Sequence, residues 1–153
     1  MNPNIPVQKI MTTNLKTIRP KESLNRVHEI FSKHDFHHLP VVDERGNLLG
    51  IISRYDFNKV EFILSLETDK SHQNALARFK NLGAVDIMTK YPLHLEPDDS
   101  IGLAADIFLA NKFHALPIVE DGRLTGIVTS HDLLAFSFSS PMEESKAVEY
   151  DED

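Results

Sequence analysis

This chain of 153 residues is written twice over. Ile10-Met11-Thr12 returns as Ile87-Met88-Thr89, and His37-His38-Leu39-Pro40 returns as His114-Ala115-Leu116-Pro117, both at one constant offset. Val41-Val42 matches Ile118-Val119 in the same frame. After the loss of one residue in a turn, Gly50-Ile51-Ile52-Ser53 matches Gly126-Ile127-Val128-Thr129, and Asp56 matches Asp132. Several blocks kept in one order mark a duplication, which constrains the architecture more than any single element does. A copy of about 55 to 60 residues is marginal as a folding unit because it buries little of its surface. Two copies packed sheet to sheet relieve that limit by sharing one core.

Each copy has the same predicted element order: strand, helix, strand, turn, strand, helix. A short segment ends at Pro20 or Pro97. An amphipathic helix follows, with Leu24, Val27, Ile30 and Phe31 on one face and Ile101, Ala104, Ala105 and Phe108 in matching places. Ser23 and Ser100 are the expected N-caps. Strands run from Leu39 to Asp43 and from Leu116 to Glu120. Turns at Gly46 and Gly122 lead into strands Leu48–Ile52 and Leu124–Val128. A further helix starts near Arg54, and Val60, Phe62, Ile63, Leu64 and Leu66 extend it. Ala75, Leu76, Phe79 and Leu82 suggest another short helix in the connector. An exposed apolar face on that connector would support a homodimer. The reading divides the chain into a first repeat (7–58), a helical connector (59–83), a second repeat (84–136) and a tail (137–153).

Composition narrows the function classes. At 41% apolar and 25% charged residues the chain has a globular balance. Apolar runs fall far short of the roughly 18 residues that suggest a membrane span. MNPNIPVQKI lacks a basic region followed by an apolar stretch, so no secretory signal is expected. The absence of cysteine excludes disulfides and thiolate zinc sites and fits a cytoplasmic protein. Of the net charge of −7, most falls between Glu143 and Asp153, where six acids face Lys146 alone. That stretch is expected to be a disordered acidic tail. The body is nearly neutral and carries no basic stripe for nucleic acid.

The quoted blocks resemble a tandem pair of CBS (cystathionine-β-synthase-type) domains. HHLPVVDERGNLLGIISRYD in the first copy and HALPIVEDGRLTGIVTSHD in the second carry the likeness, each preceded by IMT. The resemblance implies an α/β protein of the α+β kind, two βαββα repeats packed through their sheets as one pseudo-two-fold module. It also implies a regulatory module rather than an enzyme, with an adenine nucleotide (AMP, ADP or ATP) bound between the repeats. No cofactor is obligatory; Mg²⁺ is an optional companion of the nucleotide. The signal would pass to an effector protein.

The resemblance carries specific residues. Asp56 and Asp132 would hold the ribose hydroxyls, and Ser53 and Thr129 would line the phosphate path, where strand runs into helix N-terminus. His37 and His114, just before Leu-Pro, resemble the phosphate-reaching histidine in the regulatory subunit of AMP-activated protein kinase. There an arginine follows; here His38 and Ala115 stand in that place, which weakens the phosphate grip. Arg54 and His131 are candidate compensating charges. Thr17-x-x-Pro20 matches the first site motif, with His94 in place of the threonine in the second copy. Ile18, Pro40 and Pro117 would lie against the adenine. The cleft containing Asp56 and Thr17 is the favoured one.

Three other readings of the same residues stand beside this. Ser53-x-x-Asp56 and Thr129-x-x-Asp132 are also capping boxes in form, with Asp in place of Glu or Gln. A ligand-free dimerisation scaffold would need nothing more, and an accessory subunit could recognise a protein through the connector. His34, His37 and His38 cross from helix to strand, so their rings should diverge and hold no metal. No nucleophile elbow, P-loop or zinc-helix motif appears.

Overall fold

The computed structural model describes residues 1–67, 79, 81–111 and 113–139. The expected acidic tail from Glu143 on, and Ala75 and Leu76 of the connector, lie outside the described residues. In the first repeat α1 (Leu24–Lys33) is followed by β1 (His38–Val42), β2 (Leu48–Ser53) and α2 (Arg54–Glu67). A short α3 (Ala84–Ile87) and β3 (Thr89–Lys90) open the second repeat, which continues with α4 (Ile101–Asn111), β4 (Ala115–Glu120), β5 (Arg123–Thr129) and α5 (Ser130–Ser139). A single 3-10 turn, Val7–Lys9, stands where α3 stands in the other copy.

Both hairpins form as the alternating β-branched residues and the turn glycines require. β1 pairs with β2 antiparallel, and β4 with β5, each ladder irregular at the equivalent step (Val41/Val42 and Ile118/Val119). Gly46 and Gly122 adopt φ of 82° and 81°, a left-handed conformation that side chains resist. Asp43 closes the first turn by accepting the backbone N–H groups of Arg45 and Asn47, both at 2.9 Å. The two turns clasp each other. Leu48 N–H donates to the Gly122 carbonyl (3.1 Å), and Leu124 N–H to that of Gly46 (3.0 Å).

The expected first strand of each repeat shrinks to one residue. Ile18 bridges Val41 and Leu95 bridges Ile118, both in parallel. One residue further on, the backbone N–H is diverted: Arg19 donates to the Glu22 carboxylate and Glu96 to that of Asp99, each at 2.7 Å. Pro20 and Pro97, with no N–H to give, prevent any further pairing.

The repeats exchange their leading segments. Thr12 pairs with Ile127 of β5, exchanging bonds of 2.8 and 3.0 Å, while β3 pairs with β2 through Ile51–Thr89 and Gly50–Lys90. The core divides accordingly into two clusters rather than one. Val7, from the start of the chain, is fully buried among Leu95, Ile101, Leu116, Ile118 and Val128. Ala84 and Phe79 are buried among Ile18, Leu24, Val27, Leu39, Ile52 and Phe57. Gly50 and Gly126 permit the crossing. A Cβ on either would meet the side chain of Met88 or Met11, and would lie 2.8 Å from the Thr89 carbonyl oxygen or 3.1 Å from that of Thr12.

The exchange also caps the helices. Leu24 N–H takes the carbonyl of Leu82 (3.1 Å) and Ile101 N–H that of Ile5 (2.8 Å). Ser100 caps α4 as expected, its hydroxyl accepting Leu103 N–H at 3.1 Å. Ser23 occupies the N-cap position of α1, but its side chain makes no capping bond. The carbonyl of Leu82 meets part of the same demand for acceptors.

Candidate functional site

Two tethers and two helix starts frame the grooves between the repeats. Residues 13–17 run from the β5 edge of the second sheet to the β1 edge of the first. Residues 91–94 run from the β2 and β3 edge of the first sheet to the β4 edge of the second. Thr17 directly precedes the bridge of Ile18 to β1, and His94 directly precedes the bridge of Leu95 to β4. Near the turns, a cleft of about 320 Å³ is lined by Leu48, Tyr91, Pro92, His94, Glu96, Val119, Asp121 and Gly122. The His94 ring accompanies its own tether, with Nδ1 3.2 Å from the Pro92 carbonyl oxygen.

The two Ser/Thr-Asp boxes differ. In the second repeat the box is closed: Asp132 N–H donates to Thr129 Oγ1 at 3.0 Å, and Thr129 N–H donates back to the Asp132 carboxylate at 2.8 Å. In the first repeat only half of it forms, with Asp56 N–H donating to Ser53 Oγ at 3.0 Å. The Asp56 carboxylate is exposed, and among the described residues no hydrogen bond reaches it.

The histidines gather where the strands begin. His38 opens β1 opposite Ser53. The carbonyl of His37 accepts Arg54 N–H at 2.7 Å, and that of His114 accepts Ser130 N–H at 3.1 Å, so each histidine is fixed beside the first turn of a helix. Burial pushes the His38 ring down to about 4, the neighbouring His37 and His114 push the same way, and Asp56 opposes them. At neutral pH His38 is uncharged and cannot act as a phosphate-binding cation. His37, His114 and His131 are exposed, as is Thr17.

Four sequence candidates are placed elsewhere by their packing. Ile18 is 1% exposed and belongs to the first core, while its N–H and carbonyl are taken by Pro40 and Val42. Pro40 and Pro117 are buried within β1 and β4. None of these three side chains offers a surface for adenine, because the positions are interior ones of a sheet packed under helices. The Arg54 guanidinium is turned away as a cap on the end of α1. It donates to the carbonyls of Phe31 (2.9 Å), His34 (2.6 Å) and Phe36 (2.8 and 3.2 Å), and lies 5.0 Å from the centre of the Phe31 ring. The last carbonyls of a helix lack intrahelical donors, and a guanidinium supplies several at once.

Sequence reasoning passed over Tyr55 and Lys59. Tyr55 is 69% exposed in the first turn of α2, and the Lys59 ammonium lies 4.5 Å from the centre of its ring. An i, i+4 spacing puts the pair on one helix face. Reading the two copies against each other would have found them, since His131 and Ala135 occupy the equivalent places. Among the described residues no cluster of three or more His, Asp or Glu side chains could hold a metal ion. No helix among them is long and apolar enough to cross a membrane.

A duplicated α/β module with exchanged leading segments and paired Ser/Thr-Asp helix starts defines a class, the tandem CBS-domain module. The CBS-domain family model matches residues 7–61 and 84–139, and the chain belongs to that family. It is 30% identical over 128 residues, 83% of its length, to a homoserine O-acetyltransferase of Methanocorpusculum labreanum. The chain spans only 21 to 23% of the length of the first curated relatives it matches. Among solved structures it is similar to CBSX2 of Arabidopsis thaliana in complex with AMP, with a TM-score of 0.73, 29% identity, and coverage of 87% of this chain and 96% of that one. It is also similar to the CBS domain pair of protein MJ0100 in complex with 5′-methylthioadenosine and S-adenosyl-L-methionine (TM-score 0.69, 29% identity, 89% and 98% covered).

Proposed function

We propose that this chain is a non-catalytic regulatory module that binds an adenine nucleotide between its repeats and passes the state to a partner protein. The observation that carries this reading is the half-open box of the first repeat. Asp56 presents a carboxylate that the fold does not use, beside the Ser53 hydroxyl and across from the histidines. A ribose diol suits such an acceptor, since each hydroxyl donates. Solved relatives that carry AMP and S-adenosyl-L-methionine support the adenine class. Ser53, Asp56, His38 and His114 would serve this groove; Thr17, His37, His94, Thr129, His131 and Asp132 are the remaining candidates for the grooves. Because Arg54 is spent on α1 and His38 is neutral, AMP is favoured over ATP.

Exposed apolar side chains on α2 (Phe62, Ile63, Leu66) and α5 (Leu134, Phe138) support self-association as a homodimer. Ligand binding can regulate only if it distinguishes two arrangements of the protein. A second reading, the ligand-free scaffold, is favoured by the closed Thr129–Asp132 box, whose polar groups are already satisfied.

Thermal unfolding with AMP, ADP, ATP and S-adenosyl-L-methionine separates the two. A ligand at 100 times its dissociation constant adds about 2.7 kcal/mol. At roughly 2–4 °C per kcal/mol for a chain of this size, the midpoint should rise visibly. We expect a rise with AMP that Asp56→Ala removes. No shift with any of the four would favour the scaffold.

A further inference from the structure

We propose that Lys59, held back over the Tyr55 ring, is the residue that makes the Asp56 groove selective for a phosphorylated adenosine over the free nucleoside. This rests on the nucleotide-binding reading above and names the source of its phosphate recognition.

A phosphate placed near Asp56 meets a carboxylate, so its binding needs a compensating cation. The obvious one, Arg54, has its guanidinium bonded to three carbonyls at the end of α1. His38, opposite Ser53, is kept neutral by burial. Lys59 is different. Among the described residues no carboxylate lies within ion-pair distance of its ammonium. Its recorded partner is the face of Tyr55, 4.5 Å away. Tyr55 belongs to the first turn of α2, one residue before Asp56, so this contact draws a long, flexible side chain back toward the N-terminal end of the helix and limits its wandering. An exposed cation–π contact leaves the ammonium donors on the side away from the ring free for an anion.

The second repeat lacks both parts. His131 and Ala135 stand at the positions of Tyr55 and Lys59, and the Asp132 carboxylate is already engaged by Thr129. The duplication thus provides its own internal control. One helix start carries an unspent acid and a positioned cation; the other carries neither. Discrimination between AMP and adenosine belongs to the first repeat alone.

The test is titration calorimetry with AMP and with adenosine on the full chain, at pH 7 and pH 8, for the natural protein and for Lys59→Met. Methionine keeps most of the stem and removes the charge. We expect the natural protein to prefer AMP by about tenfold or more, as loss of a charge-assisted contact implies. The preference should persist at pH 8, where histidines are neutral, and should collapse toward equality in Lys59→Met with adenosine affinity unchanged. Tyr55→Leu should reduce the preference partway, because the ammonium loses its anchor. An unchanged preference in Lys59→Met overturns the proposal, and so does a preference that vanishes at pH 8 in the natural protein, which would assign it to the histidines. If the natural protein binds neither compound, the nucleotide reading itself falls, a result distinct from binding without discrimination. Equal ligand-free unfolding midpoints for the three proteins confirm that the changes are local.

Discussion

The first turns of α2 and α5 come from the same stretch of text and do different work. Thr129 and Asp132 satisfy each other twice, so the start of α5 is complete without help. Ser53 and Asp56 satisfy each other once, and the freed acid faces outward. The residues between differ in the same sense. Arg54 reaches to the end of α1 and locks one helix to another, whereas Ser130 in its place has no side chain long enough to do so. Duplication lets one copy keep a motif for stability while the other turns the same motif toward chemistry.

Removing Arg54 should affect that comparison most. Arg54→Leu leaves the carbonyls of Phe31, His34 and Phe36 without these donors, and we expect a loss of about 2–3 kcal/mol in urea unfolding, as for charged hydrogen bonds with unsatisfied partners. Ser130→Ala, its counterpart, should fall within about 0.5 kcal/mol of the natural protein. Equal losses would mean the two helix ends are held alike. Next in size is the acid pair. Asp132→Ala breaks a closed box and should cost about 1 kcal/mol, the usual value of a cap. Asp56→Ala, with no carboxylate bond to lose, should cost only a few tenths through the helix dipole. The reverse order in unfolding experiments would show that Asp56 serves the fold.

A separate test of the comparison lies in pH. An unfolded histidine titrates near 6.5, whereas burial first, and then the two nearby histidines, hold folded His38 at about 4. Below the higher value the unfolded chain takes up a proton that the folded one refuses. His38 therefore contributes fully above about pH 6.5, and that contribution is lost as pH falls toward about 4. Measured at pH 7.5 and pH 5, the midpoint of the natural protein should drop further than that of His38→Gln. Parallel curves would contradict this. Ala115 holds the equivalent place, so the second repeat has no counterpart of His38.

Much of this architecture was legible from residues alone. Blocks of Leu-Pro-Val-Val and Gly-Ile-Ile-Ser, separated by glycine turns, mark hairpins, and the i, i+3, i+4 spacing of Leu24, Val27, Ile30 and Phe31 marks the buried face of α1. The partner of each strand was not legible. Ile10-Met11-Thr12 stands in text beside the first repeat and pairs in space with the second, and local pattern carries no information on such a choice. Gly50 and Gly126 were the available clue, each a place where a foreign backbone and a methionine pass too close for a side chain. The roles of Ile18, Pro40 and Pro117 were ambiguous because an apolar residue beside a groove serves equally as wall or as core. Arg54 misled for a similar reason. A guanidinium suits a phosphate and a row of carbonyls alike, and only the end of α1, some twenty positions upstream, decides between them.

The exchanged segments bear on how the chain can be divided. A cut in the connector would give two fragments, each holding the missing wedge of its counterpart. The first would carry Val7 with no cavity to receive it and would lack Ala84 to close its own interior. Produced separately, the fragments should be poorly folded; mixed, they should restore each other. The repeat is thus a unit of sequence but not of folding, and a truncation drawn at its textual boundary removes a piece of the other half's interior.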